Sequence, residues 1–77
     1  MRAANGAADR PARYEIRVGA VLDPHWAAWF EGMELDVLDQ GITRISGPVA
    51  DEAALHGILD RIGDLGLPLI LLRRLPP

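Results

Sequence analysis

Tyr14-Glu15-Ile16-Arg17-Val18-Gly19-Ala20-Val21-Leu22-Asp23-Pro24 is the stretch that decides the fold class. Tyr14, Ile16, Val18, Ala20 and Leu22 alternate with Glu15, Arg17, Gly19 and Val21, the period of a strand with one buried face. Asp23-Pro24 then supplies a side-chain acceptor at an N-cap and a proline at the first helical position, where no amide hydrogen is needed. A strand that hands over directly to a helix start begins an α+β reading.

The chain downstream completes it. Trp26, Trp29, Phe30 and Met33 recur at i, i+3, i+4 and i+7, a single helical stripe holding three of the four aromatic residues. Gly32 ends this short first helix. Residues 34–38 and 42–47 read as strands around Asp39-Gln40-Gly41, a three-residue hairpin loop with glycine at its left-handed position. Leu35 and Val37 share a face. In the next strand Thr43 and Ile45 oppose Ile42, Arg44 and Ser46, so neither face is cleanly apolar, and Gly47-Pro48 closes it.

Asp51 caps a second helix whose buried stripe is Leu55, Ile58, Leu59, Ile62 and Leu65. Gly66 suits its C′ position, Leu67 folds back on the last turn, and Pro68 forbids continuation. Gly57 and Gly63 weaken this helix by roughly 1 kcal/mol each relative to alanine. Gly57, one residue from the stripe, permits close approach to a neighbouring backbone. Leu69-Ile70-Leu71-Leu72 is too short for a helix and reads as a last strand. Two strand–helix–strand halves make the split βαβ arrangement. Right-handed crossovers put both helices on one face of an antiparallel sheet of order 4-1-3-2. The expected fold is therefore a ferredoxin-like βαββαβ two-layer sandwich over residues 14–77, preceded by a disordered tail over residues 1–13.

At 77 residues the chain is one domain. A core this small buries only about 60% of the unfolded surface and is usually reinforced by disulfides, a metal or a partner. There is no cysteine, which removes disulfides, thiolate metal sites and thiol catalysis together, and leaves a partner chain. All eight basic residues are arginine, a compositional bias. Residues 1–13 carry three arginines against one aspartate, and residues 14–77 carry five against ten acidic residues, so the domain is net −5. Such a domain lacks the attraction that drives phosphate-backbone binding, and nucleic acid is not expected. No apolar run approaches the ~20 residues of a membrane span, and the first residues lack the apolar stretch of a secretory signal. A cytoplasmic protein without a membrane partner is expected.

Leu22-Asp23-Pro24-His25-Trp26, Trp29-Phe30, Ser46-Gly47-Pro48-Val49, Asp51, Ala53-Ala54-Leu55-His56-Gly57 and Asp64-Leu65-Gly66-Leu67-Pro68-Leu69 resemble the text of a group of short bacterial proteins of unassigned function. The resemblance runs from Tyr14 to Leu72 and implies a recurring domain, with no activity attached. The element pattern is also similar to ACT-type regulatory domains and dimeric αβ-barrel proteins. The glycine expected after the proline of the ACT first loop is His25 here. A shared fold carries no function by itself.

His25 and His56 are the only histidines and lack His-x-x-x-His or Glu-x-x-His spacing, so neither a metal nor an acid–base site with Asp51 or Glu31 is expected. Glycines match no phosphate loop, and the single serine, Ser46, has no nucleophile-elbow context. The sheet-face positions where an RNA reader presents aromatics are Glu15, Arg17, Gly19, Ile42, Arg44 and Ser46. No catalytic residue and no cofactor is expected.

Two surfaces remain. Arg17 and Arg44 fall near the middle of the open sheet face with Glu15 and Asp36 around them, either a salt-bridged surface or a small-ligand anion site of ACT-like type. The last strand is apolar on both faces at Leu69, Ile70, Leu71 and Leu72, although edge strands are normally short or charged. Leu38 and Val21 extend that apolar surface, and Trp26, near the helix start, is a further partner anchor. The expected function is a non-enzymatic, self-associating module, a homodimer that binds or assembles proteins. A ligand sensor is second, and an αβ-barrel-type enzyme with a helix-side cavity beside His25 or His56 is third.

Overall fold

In the computed structural model, which describes residues 12–30 and 32–76, strand β1 runs Ala12–Val18. Ile16 and Val18 are fully buried on one face, as the alternation requires. The strand ends four residues before the alternation does. Gly19 turns outward to donate its N–H to the Pro68 carbonyl at 2.8 Å. The buried Thr43 hydroxyl donates to the Ala20 carbonyl at 2.6 Å and accepts the Leu22 N–H at 3.0 Å. Leu22 thus reaches the core from a bend, so its burial mimics strand period.

The first helix is not an α-helix. Asp23 caps as expected, its Oδ1 accepting the His25 N–H at 2.8 Å, but Pro24–Trp29 forms a six-residue 3₁₀ turn. Trp26 N–H bonds the Asp23 carbonyl, three residues back, at 3.0 Å. So few residues before the next strand cannot repay the nucleation cost of an α-helix. At three residues per turn, positions three apart eclipse. Trp26 and Trp29 accordingly lie one above the other, their ring centroids 6.2 Å apart. The predicted stripe splits: Phe30 and Met33 are buried, Trp26 packs against the core's edge, and Trp29 is 49% exposed.

Strands β2 (Glu34–Leu38) and β3 (Ile42–Val49) flank the turn Asp39–Gly41, where Gln40 as well as Gly41 has positive φ. β3 has a fully covered face of Thr43, Ile45, Gly47 and Val49. The threonine joins that apolar set because both its hydrogen-bonding roles are filled. Gly47-Pro48 does not end the strand. Pro48 lies past Ser46, where β2 begins, so its missing N–H costs no ladder bond on that side. Gly47 is required by contact: a Cβ there would stand 3.0 Å from the Gly32 carbonyl oxygen and from Met33 Cα.

Helix α1 (Glu52–Asp64) is punctuated as its sequence predicts. Asp51 Oδ1 accepts the Ala54 N–H at 2.8 Å. At the far end Gly66 takes φ +70°, its N–H bonds Gly63, and Leu67 N–H bonds Ile62, which is the Schellman pair. Leu55 and Ile62 are buried, with Ile58 and Leu59 packed beside them. β4 (Leu69–Arg74) closes the sheet.

The four strands form one antiparallel sheet in the order β2-β3-β1-β4, which is β4-β1-β3-β2 from the other edge. The architecture is mixed α/β: an open antiparallel sheet with, among the described residues, one α-helix. The core of Ile16, Val18, Leu22, Phe30, Met33, Ile45, Val49, Leu55 and Ile62 lies on the helix side of the sheet. No helix among the described residues is long and apolar enough to cross a membrane. β1 begins two residues earlier than the alternation marked, and the rest of the expected tail, residues 1–11, lies outside the described residues.

Candidate interaction surface

Antiparallel register fixes what the other sheet face presents. One row across the strands is Glu34, Ser46, Glu15, Arg73, and the next is Asp36, Arg44, Arg17, Leu71. Arg17 and Arg44 are thus directly opposite each other on the two central strands. Like charges so placed repel unless matched. Each is matched: Arg17 Nε donates to Glu15 Oε2 at 2.6 Å, and Arg44 Nη2 donates to Asp36 Oδ2 at 3.1 Å.

Glu15 is the unexpected member, with its side chain only 4% exposed on a face that no helix among the described residues covers. Arg73 covers it from β4, its Nε donating to Oε1 at 2.9 Å. The Arg17 hydrogen bond is the main cause holding the Glu15 carboxyl below its ordinary value; burial opposes it, and Arg73 adds to the lowering. Both carboxylate oxygens are occupied by guanidinium, so the buried charge is compensated where it stands.

The apolar edge is β4. Leu69, Ile70 and Leu72 are 49%, 53% and 38% exposed, and Leu71 is half-buried beside Arg17. Leu72 sits opposite the fully buried Ile16 yet remains exposed on the edge strand. Between Arg17 and Val18 the register shifts by one residue, leaving Ile70 without an opposite number. Val21 adds further exposed apolar surface, whereas Leu38 is half-buried. Trp26 is not an exposed anchor; the 3₁₀ geometry gives that exposure to Trp29.

A cleft of ≈ 580 Å³ separates the 3₁₀ turn from α1, with Trp29, Phe30, Val49, Gly57, Ile58 and Arg61 among its lining. Arg61 Nη1 donates to the Trp29 carbonyl at 2.7 Å, and its guanidinium carbon lies 5.7 Å from the Trp29 ring centre. Neither histidine lines the cleft. His25 is exposed with its ring 3.1 Å from Asp23 Oδ1, and His56 is exposed on α1. The His25 backbone N–H, and then its ring, hold the Asp23 carboxyl below its usual value. Gly57 makes no close backbone approach, since a Cβ there would meet nothing within 4 Å. Among the described residues no three His, Asp or Glu side chains gather as metal ligands do. Sequence reasoning missed Trp29 and Arg61 because an α-helical stripe turns Trp29 inward. The short interval from Pro24 to the strand at Glu34 was the available signal.

A domain of unknown function, DUF8691, matches residues 13–73, and the chain belongs to that family. Neither curated proteins nor solved structures gave a significant match.

Proposed function

We propose, on the premise of that family membership, that this chain is a non-enzymatic, cytoplasmic self-associating module whose β4 edge pairs with a second copy. The observation that carries the reading is the exposure of Leu69, Ile70 and Leu72 on an edge strand. A six-residue edge offers unpaired backbone donors and acceptors, and three large apolar side chains beside them gain by leaving water. Antiparallel pairing of two β4 strands makes one eight-stranded sheet, and the resulting pair serves as an assembly unit for a protein partner. Arg73 and Arg74 at one end of the edge disfavour registers that bring them face to face. We place the fold in the ferredoxin-like class, with its first helix shortened to a 3₁₀ turn. An anion site at Arg17 and Arg44 has less support, since each guanidinium already faces a carboxylate.

Light scattering on a sizing column at micromolar concentration tests the proposal. The wild-type chain is expected at twice its 8.4 kDa mass. Ile70→Lys with Leu72→Lys, both at exposed positions, is expected as a monomer with unchanged far-ultraviolet circular dichroism. A monomeric wild type overturns the proposal.

A further inference from the structure

We propose that the cleft between the 3₁₀ turn and α1 binds a small amphiphilic monoanion: an aryl or short acyl body ending in a carboxylate. The turn stops at Trp29, and among the described residues no helix lies against the flank of α1 carrying Ala54, Gly57, Ile58 and Arg61, which leaves the cleft open. Its ≈ 580 Å³ falls within the ~300–1,000 Å³ typical of small-molecule sites. Phe30 and Val49, both buried, form an apolar floor, and the half-exposed Trp29 side chain, with Arg61 over its ring, forms one wall.

Charge selects the head group. Among the described lining residues Arg61 alone is charged, in a chain of net charge −3. Its guanidinium is held in place by the Trp29 carbonyl and ring, yet only Nη1 is engaged there, and a guanidinium has five N–H donors. A cation held in place at the rim of an apolar cleft, with no carboxylate partner among the described residues, fits one carboxylate, and the surrounding acidic domain disfavours a dianion. Gly57 deepens the cleft: it is the poorest helix former short of proline, its φ does not require it, and no neighbour excludes a side chain.

The test is titration of the full chain with phenylacetate, phenylacetamide and inorganic phosphate, read by tryptophan fluorescence and amide NMR shifts. Phenylacetate is expected to saturate with shifts at Trp29, Gly57 and Arg61, and to bind at least about tenfold more tightly than the neutral amide. Phosphate is expected to bind weakly or not at all. Gly57→Leu, which fills open space, is expected to abolish the response, while Gly63→Ala, outside the cleft, keeps it. The proposal is overturned by absence of saturable binding up to about 10 mM, by equal affinity for acid and amide, or by shifts at β4 instead. Concentration-dependent shifts of the cleft amides without ligand also overturn it, because they assign the cleft to a second copy.

Discussion

Arg73 on the edge strand reaches Glu15 on β1, Nε to Oε1 at 2.9 Å, joining residues 58 positions apart through a carboxylate that solvent hardly touches. The same carboxylate holds Arg17, so one buried acid organises two strands of the exposed sheet face. Its side chain is buried while those of both arginines are more than a third exposed, which moderates what the cluster contributes.

Glu15→Gln leaves two guanidiniums without their charge partner and is expected to destabilise by about 1–2 kcal/mol at pH 7, below the cost of breaking a fully buried pair. The carboxyl is lowered in the folded chain relative to the ordinary 4.5. Its contribution is therefore complete above that value and is lost as pH falls through the lower, folded value. Urea unfolding should show the wild type losing stability between pH 7 and pH 3 more steeply than Glu15→Gln. Parallel pH profiles refute this role.

Thr43→Val keeps the shape but strands the Ala20 carbonyl and the Leu22 N–H, both of which bond its hydroxyl. A loss of about 1–3 kcal/mol is expected, and Thr43→Ser should lose less because the hydroxyl remains. Equal midpoints for the two variants contradict the assignment.

Gly47→Ala places a methyl group 3.0 Å from backbone atoms of Gly32 and Met33, at a φ of +155°. Backbone cannot yield as a flexible side chain does, and the loss should exceed about 1 kcal/mol. Thermal unfolding checks it; an unchanged melting temperature rules it out.

Asp51→Ala removes the acceptor of the Ala54 N–H and should cost about 1 kcal/mol. Asp51→Asn, which keeps an acceptor, should recover most of it in the same urea experiment.

Legibility in the sequence tracked how local each determinant is. Asp51, Gly66 and Pro68 specify the ends of α1 through contacts within a few residues, and those ends were readable. The place of Arg17 and Arg44 near the middle of the open sheet face was readable from strand parity, whereas their standing directly opposite each other depends on the register between β1 and β3. The first helix was misread because spacing at i and i+3 serves α and 3₁₀ geometry alike, and the chain length available had to decide. Leu22 was misread as strand because its burial depends on the Thr43 hydroxyl, 21 positions away. A helix-side cavity was expected beside His25 or His56, whereas the cleft opens beside Trp29 and Arg61, where the misread first helix is a 3₁₀ turn.

The placement of β1 between β3 and β4 also sets an order of events in time. β2 and β3 are joined by three residues and can zip together early, whereas β1 must wait for partners far along the chain. In the monomer carrying Ile70→Lys and Leu72→Lys, β4 is held on one side only, as an edge strand beside β1, and is expected to lift away readily. In that monomer its amides should exchange with deuterium ahead of those in β1 and β3, and peeling of the strand uncovers the Glu15 carboxylate that Arg73 covers. In the wild-type dimer the same amides should be protected.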